Sequence, residues 1–190
     1  MKNKLRLYDP FTKGSPHNPL HKFKREGIYM ITASTYNKAH IINTSQRLDF
    51  LLNLIFQTSK ELNWELLAWA VLINHYHIMI YTKEKDNNIK NFIHRIHTKS
   101  AYQWNKEDNK KGRKVWFNYW ESIITFDKSY YSRLKYINDN PMLHNIIDES
   151  LNYKWCSKRF YFENTPRSFF DTIDMFKVDQ LFKKDIQINS

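Results

Sequence analysis

The alternation of apolar and polar positions along the chain predicts a short list of elements. Ile28–Tyr36 is rich in β-branched and aromatic residues and predicts a strand opening at Gly27. Thr44 or Ser45 then caps a helix running to about Leu62, with Leu48, Leu51, Leu52, Ile55 and Phe56 at helical spacing. Trp64–Ile73 is almost wholly apolar, the pattern of a central strand buried on both faces. Asn74-His75-Tyr76-His77-Ile78-Met79-Ile80-Tyr81 follows at once, so these two strands form a hairpin turning near Asn74. Asn87 or Asn88 caps a second helix striped by Ile89, Phe92, Ile93, Ile96 and Tyr102, and residues 105–114 form a charged, mobile loop. A fourth strand spans about Val115–Phe126. Asp127 caps a third helix that ends near Asn140, because Pro141 disfavours helix at the residue before it.

The order β-α-β-β-α-β is that of an α+β, ferredoxin-like fold: a four-stranded antiparallel sheet with two helices on one face. The third helix comes after the four strands and packs at an edge or on the open face. Residues 1–24, polar and basic with three prolines, read as a loosely ordered arm. Residues 25–148 read as one domain, and 149–190 as an aromatic, irregular extension with a short helix at about 166–178.

Charge narrows the class. Thirty Lys and Arg against nineteen Asp and Glu give a net charge of +11 over 190 residues, which points to a polyanionic partner. Between Lys83 and Lys114 ten basic residues face four acidic ones, a surplus of six. Three glycines in the whole chain leave no Gly-rich phosphate loop, and the single cysteine, Cys156, excludes a disulfide framework or a cysteine-built zinc site. No signal-peptide core is present, and no apolar run approaches the roughly 20 residues that span a bilayer. The expectation is a cytoplasmic protein without a membrane partner.

Candidate chemistry gathers on two elements. Side chains on a strand alternate, so His75 and His77 share one face while Tyr76, Ile78 and Ile80 pack on the other. Paired imidazoles suit a metal or a phosphate site. On the third helix Tyr130, Leu134 and Ile137 give a docking face, and Arg133, Tyr136 and Asn140 form a second, exposed stripe. Tyr136 can serve as an oxygen nucleophile if a cation, Arg133 or Lys135, counters its usual pKa of about 10. The Asn140 carbonyl oxygen can complete a metal site with His75 and His77. Arg95, Lys99, Arg113 and Lys114 supply backbone contacts from the basic helix and loop, Arg133 adds another, and Trp116, Tyr119 and Trp120 are candidates for stacking on unpaired bases. Each signal alone also has a plain reading, as surface histidines or as packing aromatics.

Asn74-His75-Tyr76-His77 with its apolar tail resembles the HUH motif of single-tyrosine HUH endonucleases. Tyr136-Ile137-Asn138-Asp139-Asn140-Pro141 is similar to the Tyr-Ile-x-x-Asn-Pro motif of REP-associated tyrosine transposases, within the IS200-like group. The likeness extends through Ile28–Tyr36, Trp69–Leu72, Val115–Trp120 and Tyr153–Ser157, about residues 25–175 in order. The resemblance implies that His75 and His77, with Asn140 as third ligand, hold Mg²⁺ or Mn²⁺. It further implies that Tyr136 cleaves and rejoins single-stranded DNA through a 5′-phosphotyrosine link, near REP-like palindromic hairpins, in a prokaryotic nucleoid-associated monomer or homodimer. One departure stands out: the family usually has a glycine shortly after the proline, where this chain reads Met142-Leu143-His144-Asn145, and asparagine tolerates the left-handed backbone a glycine would adopt there. A domesticated, non-catalytic hairpin binder and a small metal-dependent hydrolase are the alternatives.

Overall fold

The computed structural model describes residues 27–82 and 89–178. The expected arm at 1–24, the Asn87 or Asn88 cap and residues 179–190 lie outside them. In chain order the elements are β1 (Gly27–Thr35), α1 (Ser45–Glu61), β2 (Glu65–Val71), β3 (His75–Thr82), α2 (Ile89–Glu107), β4 (Trp116–Ile124), α3 (Asp127–Leu143), α4 (Lys158–Asn164) and α5 (Arg167–Met175). The strands form one antiparallel sheet in the order β2-β3-β1-β4, the ferredoxin-like arrangement read from the element order.

Each sheet face carries its own core. Tyr29, Ile31, Ala33, Tyr76, Ile78 and Ile80 point to one side and pack under α1 and α2, where Trp64 stacks on Phe92 at 5.0 Å. Ile28, Met30, Met79 and Tyr81 point to the other, where α3, α4 and α5 cover them through Tyr130, Leu134, Tyr161, Phe170 and Ile173. The third helix therefore takes the open face, and helices lie on both sides of the sheet.

β2 corrects the expectation of a central strand: it is an edge strand. Its continuous apolar run reflects burial on both faces, by α1 on one and α3 on the other. Its outer edge is closed by the segment after α3. Trp69 N–H donates to Ser157 Oγ (3.1 Å), Ser157 N–H to Trp69 C=O (2.9 Å) and Val71 N–H to Trp155 C=O (3.0 Å). The Tyr153 and Tyr161 hydroxyls donate to the carbonyls of Val71 (2.9 Å) and Leu67 (2.7 Å). An exposed row of ladder groups is thus satisfied by side chains and an isolated bridge, Ala70 to Cys156.

Three local expectations also change. Residues 105–107 belong to α2, and the remainder of the charged loop is stapled: Arg47 pairs with Glu107 and Asp108, and Arg113 reaches Asp108 at 2.8 Å. α3 runs past Pro141 to Leu143. Pro141 has no N–H to offer the Ile137 carbonyl, and the Cys156 thiol donates there instead (3.6 Å) and to the Asn138 carbonyl (3.4 Å). Asp127 is the first helical residue rather than the cap, which is Phe126. The turn that closes α3 follows expectation. Asn145 has φ 53°, Ile146 N–H donates to Pro141 C=O and Asn145 N–H to Met142 C=O, which is a Schellman closure with asparagine in glycine's place.

Candidate active site

β3 and α3 build the site between them. Register places Ala70, His77, Thr32 and Trp120 in one row across the sheet, with His75 beside Ser34 in the next. All of these side chains point to the α3 side. Tyr136 lies fully buried with its ring edge-on to His77, centroids 5.1 Å apart, and Asn140, one turn on, is also fully buried. The stripe expected to be exposed is therefore turned onto the histidines.

Each imidazole has a hydrogen-bond partner at Nδ1. Asn74 Oδ1 can only accept a hydrogen bond, so the 2.6 Å contact makes His75 Nδ1 the donor and leaves a lone pair on Nε2. Thr32 Oγ1 stands 2.7 Å from His77 Nδ1, where the hydroxyl can accept from the ring or donate to it. His75 Nε2, His77 Nε2 and both carboxamide atoms of Asn140 are buried without a hydrogen-bond partner. Buried polar atoms left in this state are costly unless a ligand takes them. Burial, with the neighbouring His144, lowers the His75 pKa to about 3, although the Asn140 carboxamide favours its protonated form. Burial lowers His77 well below the usual range, and His75 and His144 add to this. Both rings are thus neutral near pH 7, the state a cation requires. Two imidazole nitrogens and an amide oxygen fit a divalent cation. Among the described residues no three His, Cys, Asp or Glu side chains form a group that could hold a metal ion.

His144 was not anticipated. Its ring stands edge-on to His75, centroids 4.7 Å apart, and its Nε2 is buried without a partner. Its position four residues after Asn140, on the same helical stripe, is the signal that could have found it. Asn74 and Thr32, which orient the imidazoles, had no such signal.

The other expected contacts separate. Lys135 is paired with Asp139 (2.9 Å) and Asp174 (3.3 Å), and Arg133 Nη1 reaches Ser129 C=O at 3.5 Å. Arg95 is paired with Glu61 at 2.9 Å, and Lys99 is exposed on α2, across the sheet from the histidines. Arg113 is tied to Asp108, while Lys114 is exposed with its Nζ 4.5 Å above the Tyr36 ring. Trp116 corrects the stacking expectation. It is 7% exposed, its ring lies flat on His97 at 4.3 Å, and its Nε1–H donates to Ser100 Oγ, so protein covers it. Tyr119 packs against the α1–α2 core, so of these three stacking candidates Trp120, 78% exposed, is the one with a free face.

No helix among the described residues is long and apolar enough to cross a membrane. A Haemophilus influenzae protein named for the REP-associated tyrosine transposases is 25% identical over 144 residues, 71% of this chain and 81% of that protein. The solved structure of a REP-associated tyrosine transposase bound to a REP hairpin superposes with a TM-score of 0.62 at 18% identity, covering 80% of this chain and 89% of that one, and so shares the fold. The family model described as Transposase IS200 like matches residues 24–140, from the approach to β1 through Asn140 on α3, and the chain belongs to this transposase family.

Proposed function

We propose that the protein cleaves and rejoins single-stranded DNA by transesterification at Tyr136, beside a DNA hairpin. The observation that carries this reading is the set of partnerless buried atoms on His75, His77 and Asn140, with the Tyr136 ring set against His77. A divalent cation bound by His75 Nε2, His77 Nε2 and the Asn140 carbonyl oxygen would polarise a non-bridging phosphate oxygen and offset charge developing there. Tyr136 Oη attacks phosphorus, the bond from phosphorus to the 3′ oxygen breaks, and a 5′-phosphotyrosine link forms. The phenol's proton leaves as the new bond forms, and the departing 3′ oxygen takes one up. A second 3′-OH reverses the step, so strands are joined without a nucleotide cofactor. Because Tyr136 is fully buried, attack requires its ring to turn outward or the strand to displace what covers it. Arg133, one turn earlier on α3, would contact the phosphate backbone. The hairpin follows from the REP hairpin in the solved relative, and the net charge of +11 suits such a partner.

The test uses a hairpin oligonucleotide with a flanking single strand, Mn²⁺ or Mg²⁺, and a denaturing gel. The expected result is a covalent protein–DNA band that is lost in Tyr136→Phe, while hairpin binding persists. The same band is expected to vanish with EDTA and with His75→Ala combined with His77→Ala. An adduct persisting in Tyr136→Phe would overturn the nucleophile, and one persisting in EDTA would overturn the metal role. Hairpin binding without any adduct in the native protein would leave the non-catalytic binder as the correct reading.

A further inference from the structure

Three exposed aromatic rings lie on or beside β4, the edge strand next to the histidine rows. Trp120 is 78% exposed and Phe117 56%, and Tyr36 lies beside Phe117 with centroids 6.3 Å apart. Lys114 Nζ lies over both of the latter, 4.5 Å from the Tyr36 centroid and 5.6 Å from that of Phe117. The register sets Trp120 in the same row as His77, with Thr32 between them, on the face that carries Tyr136. That is two strand spacings, about 10 Å from one backbone to the other. A phosphate held at His77 and Tyr136 has its neighbouring sugar and base within reach of that ring. Thr32, small and polar, lies along the way.

We propose that Trp120 is the platform on which the base of the nucleotide adjoining the scissile phosphate stacks. Lys114, with the Tyr36 and Phe117 rings, carries the strand onward along the β4 rim. This rests on the reading of Tyr136 and the histidines as the cleavage site. The chemistry commits the rim to single-stranded nucleic acid: flat apolar rings suit the faces of unpaired bases, and the ammonium among them suits a phosphate. A duplex presents its bases edge-on and offers such rings no face to stack on.

The test places 2-aminopurine at successive positions along the single strand beside the hairpin and reads its fluorescence on binding. Quenching is expected at one position next to the cleavage site, lost in Trp120→Ala and kept in Trp120→Phe. The affinity of Trp120→Ala for the flanked hairpin is expected to fall by about 5- to 150-fold, and for the bare hairpin to stay unchanged. Quenching that is unaltered in Trp120→Ala overturns the proposal, as does a variant in which only self-association changes by sedimentation, which would assign the rim to a second copy of the chain. Fluorescence needs no cleavage. A missing adduct in the native protein would therefore sink the cleavage reading while this measurement still decides the stacking role.

Discussion

Asn145 shows what a single backbone angle asks of the sequence. With φ at 53° it closes α3 where glycine is the usual choice, one residue beyond His144 and five beyond Asn140. Asparagine bears this conformation with little strain, whereas a β-branched side chain meets its own backbone there. Asn145→Gly is expected to leave thermal stability unchanged or slightly raised, and Asn145→Val to lower it by about 1–2 kcal/mol in urea unfolding. At this scale much was legible. The strand period put His75 and His77 on one face, and the helical period put Tyr136 and Asn140 on one stripe. Their burial was not legible, because it depends on which face of the sheet α3 chooses and on what the later segment does. Lys135 is half legible: Asp139, four residues on along the same helix, is a local partner, whereas Asp174, 39 residues on, lies beyond any local pattern.

At the scale of elements, Trp116 and Trp120 show how alternation fails. Period two puts residues four apart on one face, yet Trp116 faces α2 and Trp120 faces the α3 side. The register slips between Ala33 and Thr35, where β4 holds an extra residue, and a bulge of this kind reverses the parity of everything beyond it. Nothing in the residues from Trp116 to Trp120 announces it. α3 is likewise less a surface helix than an inner one. Ser157 Oγ accepts from Trp69 N–H on β2 and donates to Asn138 Oδ1 on α3 at 2.6 Å, while Lys158 reaches Asp139 at 2.6 Å. One hydroxyl thus ties strand to helix. Ser157→Ala leaves a buried N–H and a buried amide oxygen unpaired and is expected to cost about 1–3 kcal/mol, read as a shift in the urea midpoint. A midpoint equal to that of the native protein would show that water replaces the hydroxyl at no cost.

For the whole molecule, part of the pH dependence is stored on the other face of the sheet from His75 and His77. His97 Nε2 lies 3.1 Å from the Tyr76 hydroxyl, its ring is stacked on Trp116, and its pKa is lowered to about 3 by burial first and by His94 on the same helix second. The unfolded chain takes up this proton near pH 6.5, the folded one only near 3. Between those values the unfolded state binds more protons, so stability falls as pH drops from about 6.5 towards 3 and is fully present above that window. Urea midpoints measured from pH 7.5 to 4 are expected to decline, and His97→Phe, which keeps the stacked ring without the proton site, to decline less steeply. An identical slope would place the dependence elsewhere, at His75 and His77.

The closure of β2 by Tyr153–Tyr161 also bears on how the chain comes to be folded. The Trp69 to Ser157 contact spans 88 residues and the Tyr161 to Leu67 contact 94. Pairings so distant in sequence form late, after the loop between them has been closed at an entropic cost. On a ribosome, the first three strands and α1 emerge well before the residues that seal them. Until those arrive, an apolar strand rim stands open to any other chain with a strand to offer. The part of the chain that carries no predicted chemistry is therefore what closes the β2 rim to strand pairing with another chain.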